Sequence, residues 1–319
     1  MATMPQREAY GRALADYGAL NDKVVVLDAD TSSSTLTNFF AAKFPDRFYN
    51  VGIAEPGMVD FGVGLSLGGF IPFVNAFAAF LALRAIEQVR TCVAYANTNV
   101  KLVGHYAGLS DYKDGPTHNC IVDVAVMRAI PNMTVIVPSD NNQIKNWIPV
   151  IAAHDGPLYF RMSRDVALPV HPESIQPQIG KAIQLREGSD VTLIANGTML
   201  GRTLLAADQL NQNGVSTRVL EIHTLKPLDV EAICAAASDT GAIVTVEEHS
   251  IIGGLGGAVA ETLAENCPVP LVRVGVKDRF AYTALDAESL MDHMGLRVED
   301  IVEAANSAIR KKQTGRKLV

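Results

Sequence analysis

The sequence predicts an α/β protein of two open, mainly parallel sheet domains. Three observations predict it. The 319 residues suffice for two cores of ordinary size. Short β-branched runs alternate along the chain with longer helical patterns, as βα units require. The composition is 48% hydrophobic but only 6% aromatic, so the apolar residues are chiefly the Ala, Val, Leu and Ile that suit strands buried under helices. Asp and Glu number 34 against 27 Lys and Arg, a net charge of −7. With no basic stripe before the last few residues, nucleic acid is excluded as a partner.

The elements follow in order. In the first domain, 1–165, strands are expected at 23–27, 48–52, 70–74, 100–104, 134–137 and 158–161, each followed by a turn signal or a helix. Residues 61–83, FGVGLSLGGFIPFVNAFAAFLAL, form 23 positions without a charge or histidine, long enough for a bilayer span. Gly68-Gly69, Pro72 and Asn75 interrupt them, and no basic flank, second candidate or signal peptide accompanies them, so no membrane association is expected. The stretch is read as a buried helix, a turn at Gly68-Gly69, the strand 70–74 and a second buried helix. Residues 166–187, with Pro169, Pro172 and Pro177 and no long apolar period, read as a linker. The second domain, 188–310, has strand signals at 191–195, 217–221, 243–247 and 271–274 and helical patterns such as 202–212 and 255–265. The basic tail, 311–319, reads as frayed. Cys92, Cys120, Cys234 and Cys267 are widely spaced without a CxxC pair. That pattern indicates neither zinc nor a disulfide framework and fits a reducing cytoplasm.

Open α/β sheets place ligands beyond the carboxyl ends of their strands. DADTSSS, GIAEPGM, HYAGLSDYKDGPTHN and RMSRD lie there. Glu55 sits between a strand and the helix that opens the apolar stretch, where burial raises a carboxyl pKa unless a partner compensates; the bland reading is a helix-start acid. Asp114 and His118, in DGPTH and preceded by His105 and Tyr106, place a carboxylate and an imidazole four residues apart. Such a pair can hold hydroxyls and shuttle a proton, or it is an Asp-Gly turn with a surface histidine. Phe77 and Phe80, three apart on an expected helix face, suit a core or a platform for a flat heterocycle. Arg164 follows a strand and can grip a phosphate or carboxylate in bidentate fashion, or form a solvated ion pair. The GGLGG loop at 253–257 lacks an acidic partner at dinucleotide spacing and reads as close strand-to-helix packing.

Taken in order over nearly the whole chain, GIAEPGM, GGFIPFVNAFAAF, RAIEQVR, DGPTH, MRAIPNMTVIVPSD and RMSRD resemble the pyrimidine-binding domain of transketolase followed by the transketolase C-terminal domain. The likeness is greatest to the C-terminal subunit of split transketolases. It implies dependence on thiamine diphosphate, with Glu55 bonding the aminopyrimidine ring and Phe80 and Phe77 forming the wall beside it. It also implies that Asp114 and His118 hold sugar hydroxyls and that Arg7, Ser34 and Arg164 bind the phosphate of a sugar phosphate.

The departures carry information too. The family has a histidine before DGPTH; an ungapped match puts Tyr106 there and shifts His105 by one. SDYKD replaces a glycine-rich approach, and Leu83 stands where large fused enzymes have a tyrosine. The family's magnesium ligands come from GDG followed at roughly 25–30 residues by Asn, and the chain contains no GDG. A separate N-terminal subunit is therefore expected to carry the GDG motif, the diphosphate and Mg2+, in an α2β2 assembly. The implied reaction moves a two-carbon ketol unit from a ketose phosphate to an aldose phosphate, as in pentose phosphate metabolism.

The alternatives are a transketolase specialised for an unusual ketose phosphate or sulfosugar, which Tyr106 keeps open, and a 2-oxo acid dehydrogenase β-type or deoxyxylulose-phosphate-synthase-like chain. DGPTH and Arg164 favour sugar phosphates over 2-oxo acids, and the chain is too short for a whole synthase. A non-catalytic protein that has kept the fold is opposed by the presence of Glu55.

Overall fold

The computed structural model describes residues 4–315. Its first sheet has seven strands in the order β10-β5-β6-β4-β3-β1-β2 and its second has five in the order β12-β11-β8-β9-β7. The strands are β1 (Val24–Asp28), β2 (Phe48–Asn50), β3 (Ile71–Phe77), β4 (Lys101–His105), β5 (Thr134–Ile136), β6 (Leu158–Arg161), β7 (Ile183–Arg186), β8 (Val191–Ala195), β9 (Thr217–Glu221), β10 (Thr224–Lys226), β11 (Ile243–Ser250) and β12 (Leu271–Val276). Neighbours run parallel except β10 against β5 and β7 against β9. Central strands such as β1 and β8 are buried on both faces, which explains their unbroken apolar sequence. No helix among the described residues is long and apolar enough to cross a membrane.

The ten expected strands all form, and the structure adds two. Residues 166–187 are not wholly a linker, because 183–186 lie antiparallel on the edge of β9. Likewise 224–226, from the second half of the chain, pair with β5 and complete the edge of the first sheet. Ile183–Arg186 alternates apolar and polar residues but over only four positions beside a proline-bearing stretch, and Thr224–Lys226 has only three. The tail is corrected as well: the helix Val298–Gly315 runs through its start, and Lys312 Nζ donates to the carbonyl of Thr240 at 2.6 Å. Residues 316–319 of that tail lie outside the described residues. In the uncharged stretch the helix spans Glu55–Leu67, the turn falls at Gly68-Gly69, and β3 continues to Phe77 before a π-helical turn at Phe80–Arg84. Phe77 is therefore a strand residue, not a helical one.

A disulfide joins Cys234 to Cys267, contrary to the sequence expectation. The helices Val230–Thr240 and Leu255–Asn266 pack side by side and bring the two Cα atoms to 5.7 Å, within bridging reach; a separation of 33 residues concealed the pairing.

The two halves share buried contacts. Arg161 Nε donates to Asp123 Oδ2 at 2.9 Å and its Nη2 to the carbonyl of Glu248 at 2.9 Å. Across the same boundary Gln143 Nε2 donates to Glu221 Oε1 at 3.0 Å, and one apolar cluster contains Val25 and Leu27 together with Ile222, Ile233 and Leu255.

The GGLGG loop packs as expected, and what it cradles is internal. The backbone N–H groups of Leu255 and Gly256 donate to the carboxylate of buried Glu247 at 2.7 and 2.8 Å. A Cβ at position 254 would overlap Glu247 Oε2. Gly254→Ala should lower unfolding free energy by about 2–3 kcal/mol, as overpacking against buried groups does; a urea midpoint within error of the parent would count against this account.

Candidate functional site

The site begins at the end of β1. Buried Asp28 accepts from the N–H of Thr31 at 2.6 Å and from the hydroxyls of Thr31, Thr35 and Thr37 at 2.9, 2.8 and 2.9 Å. Burial pushes its carboxyl pKa up, although these bonds oppose the rise. They knot DADTSSSTLT into one conformation and present the carbonyl of Ser34 to Arg7, whose Nη1 donates to it at 3.0 Å and to Tyr106 Oη at 2.9 Å.

Strand β4 decides which of its last residues faces the site. His105 is fully buried, with Nε2 3.0 Å from Asn75 Oδ1 and its ring edge-on to Tyr10 at 5.1 Å. Asn75 Oδ1 also accepts from the Tyr10 hydroxyl at 2.7 Å, so His105 donates through Nε2. Burial, with Arg7 nearby, lowers its pKa to about 3, which leaves it neutral and inside the protein rather than in contact with a substrate. Tyr106 follows with φ +56°, a conformation rare for a bulky residue. Its ring stacks on Phe77 with centroids 4.3 Å apart and planes 19° apart. Tyr106, not His105, thus faces the row of aromatic rings.

From Tyr106 a row of groups continues. Phe77 stacks on Phe80 at 5.7 Å and 23°, so the two rings share a face although β3 ends between them. The Arg84 guanidinium lies 4.2 Å from the Phe80 centroid, and its Nη1 donates to both oxygens of Glu55 at 2.8 and 2.9 Å. The Glu55 side chain is 2% exposed and that of Arg84 46%. This is the compensating partner that a buried carboxylate requires. His118 stands edge-on to Phe80 at 5.2 Å and to Phe77 at 6.1 Å. It is held by the DGPTH turn, where the N–H of His118 donates to the carbonyl of Gly115 at 2.9 Å. The same turn leaves Asp114 exposed.

At the other end Arg164 lies 5.2 Å from the Tyr106 ring and 5.4 Å from the Tyr112 ring, while Arg7 lies 5.8 Å from Tyr106. Arg164 Nη1 is 3.5 Å from Asp111 Oδ1. Arg7, Ser34, Tyr106, Phe77, Phe80, His118, Glu55 and Arg164 are therefore brought together, Asp114 lies exposed on the turn that holds His118, and His105 is withdrawn.

Sequence reasoning missed two participants, Arg84 and Asp111. Each stood inside a quoted segment, but neither showed a sign of its partner.

Glu55, Phe77 and Phe80 fit a flat heterocycle with N–H donors, since the carboxylate's partner Arg84 has nearly half its side chain in solvent and can withdraw. No group of three His, Cys, Asp or Glu residues among the described residues gathers to hold a metal ion. Ile53 and Leu67, just before and at the end of the helix headed by Glu55, are each 77% exposed.

Residues 2–168 match the transketolase pyrimidine-binding domain and residues 180–301 the transketolase C-terminal domain. The chain is 44% identical over 306 residues to the 6-deoxy-6-sulfo-D-fructose transketolase subunit SqwH of Clostridium sp. (strain MSTE9), covering 96% of this chain and 95% of that one. It is 34% identical over 306 residues to one of the subunits of apulose-4-phosphate transketolase from Phocaeicola vulgatus, covering 96% and 97%. Among solved structures, a split gene transketolase described as an inactive β4 tetramer superposes with a TM-score of 0.89 at 42% identity, over 98% of this chain and all 100% of that one. Transketolase from Leishmania mexicana has the same fold, with a TM-score of 0.79 at 22% identity over 97% of this chain and 46% of that one. Both domain matches, the full-length likeness to split subunits and the shared fold lead to one conclusion: the chain belongs to the thiamine-dependent transketolase family, among the C-terminal subunits of split transketolases.

Proposed function

We propose that this chain is the C-terminal subunit of a two-subunit, thiamine-diphosphate-dependent transketolase that transfers a two-carbon ketol unit from a ketose with an anionic end to an aldose. One observation carries the reading: the continuous row from Glu55 and Arg84 through Phe80, Phe77 and Tyr106 to Arg7 and Arg164. It has an acid for a heterocycle at one end and two guanidinium groups for an anion at the other.

When bound, thiamine diphosphate supplies the carbon nucleophile that attacks a ketose carbonyl. This chain's residues do the rest of what is assigned to it. Glu55, released from Arg84, exchanges a hydrogen bond and proton with the aminopyrimidine edge, and its burial keeps that bond out of water. Phe80 and Phe77 wall the ring. His118 and Asp114 hold sugar hydroxyls and move a proton during cleavage and transfer. Arg7, positioned by the Ser34 carbonyl and Tyr106, and Arg164 hold the terminal anion and fix the distance from it to the carbonyl.

The diphosphate and Mg2+ fall to an N-terminal partner with the GDG motif, in an α2β2 assembly. The exposed apolar side chains on either side of Glu55 suit that contact. A sulfosugar or an unusual ketose phosphate as donor is favoured over the pentose phosphates by Tyr106 in place of a histidine, and by relatives named for such sugars.

Three outcomes are expected of the chain mixed with its N-terminal partner. Glu55→Ala should reduce ketol transfer to background while the complex still forms; near-normal rates would refute the assigned role. By calorimetry the isolated chain should bind thiamine diphosphate with Mg2+ far more weakly than the mixture, and tight binding by the single chain contradicts the division of labour. Arg164→Ala should raise KM for ketoses with an anionic end by about 10- to 100-fold, the value of a charge-assisted contact, and leave uncharged analogues little changed. An equal effect on both would make Arg164 structural.

A further inference from the structure

Arg164 does not meet the site as a free cation. The Asp111 carboxylate beside it has no solvent exposure, against 21% for the arginine side chain. Its Oδ2 meets no hydrogen-bond donor of fixed position among the described residues, and the Asp114 carboxyl lies within hydrogen-bonding reach of the Asp111 carboxyl, so a buried acid is held against the anion end of the site with a second acid beside it. The backbone fixes the residue there: Asn119 Nδ2 donates to the carbonyl of Asp111 at 3.1 Å, and Ser110 Oγ accepts from the N–H of Arg164 at 3.1 Å.

The charged neighbours of Asp111 are Asp114, His118 and Arg164. Asp165 lies within electrostatic reach of both Arg164 and Arg7, with Lys113 and Asp286 further charges about it. Two guanidinium groups are thus opposed by two carboxylates. Burial first, and then Asp114, raises the Asp111 pKa to about 6, and burial raises that of Asp165. An incoming anion must take Arg164 from a carboxylate that stays beside it. A second negative charge on the ligand meets that carboxylate as a repulsion which a single charge, shared by the two arginines, largely avoids.

We infer that Asp111 is a specificity-determining residue that tempers the grip of Arg164, so that the site takes a ketose ending in a singly charged group of the sulfonate class in preference to one ending in a phosphate dianion. The inference rests on the transketolase reading of the site and names its substrate class. Asp111 acts by its hold on Arg164 and by its own charge beside the anion, without a bond to the substrate.

A second consequence follows from the same geometry. Ionised Asp111 competes with the ligand for Arg164 and protonated Asp111 does not, so anion binding is strongest below about pH 6 and weakens as the pH rises through that value. A sulfonate keeps one charge throughout this range, so any pH dependence of its KM belongs to the protein.

The test uses the chain with its N-terminal partner, thiamine diphosphate and Mg2+, and a matched pair of ketoses ending in sulfonate or phosphate, assayed from pH 5.5 to 8. The parent should prefer the sulfonate, with a KM that rises with pH. Asp111→Asn should shift the ratio of kcat/KM values toward the phosphate by at least about tenfold and flatten the sulfonate's KM against pH. Asp111→Ser, which also removes the charge, should do the same, so that failure of one variant to assemble leaves the other and the parent's pH profile as evidence. Ketol transfer with an unchanged ratio and an unchanged pH profile in the variants overturns the inference, as does a parent that prefers the phosphate. Absence of transfer from either ketose by the parent complex instead overturns the transketolase reading on which it rests.

Discussion

The stack of Tyr106, Phe77 and Phe80 is what allows two charged ends to belong to one site, and a single register makes the stack. In the pairing of β3 with β4, Phe77 is the partner of His105. The next residue, Tyr106, takes a left-handed conformation and lays its ring on Phe77 instead of continuing the strand. A slip of one residue would exchange the two side chains, putting an imidazole over Phe77 and a phenol into the polar pocket of Asn75 and Tyr10. The rings are flat and closely packed, so they set the spacing between Arg84 at one end and Arg7 with Arg164 at the other. Each guanidinium also lies against an aromatic face, a contact worth about 0.5–2 kcal/mol according to exposure.

Most of the fold was legible because a parallel sheet writes itself plainly. Strands buried on both faces must be apolar throughout, and the turns between them carry Gly, Pro, Asp and Ser. The omissions were edge strands. Ile183–Arg186 and Thr224–Lys226 alternate over only four and three residues and have partners remote in sequence, so neither stands out from the chain around it. The disulfide was hidden in the same manner, since its geometry exists only after two helices have packed.

The site was legible where a residue's chemistry is its own and illegible where it comes from a neighbour. Glu55, His118 and Arg164 stand out by type and place. That Glu55 is satisfied by Arg84, that Arg164 is opposed by Asp111 and that His105 turns inward depend on distances between segments. Adjacent in sequence, His105 and Tyr106 are set apart only by the strand end between them, which turns one ring inward and the other toward Phe77. The helical reading of Phe77 failed for a related reason: the apolar run continues unbroken from strand to π-helical turn, and periodicity has no purchase on a segment buried from every side.

Strand β10 joins the two halves of the chain more firmly than a proline-bearing connection would lead one to suppose. It is drawn from the second half, yet it closes the outer edge of the first sheet beside β5, while the apolar cluster and the bonds of Arg161 and Gln143 cross the same boundary. Withdrawal of β10 would leave β5 with a bare row of amides and carbonyls, open to pairing with another molecule. A cut that separated the two halves would therefore have to pass through a sheet edge and a buried core, not through a hinge.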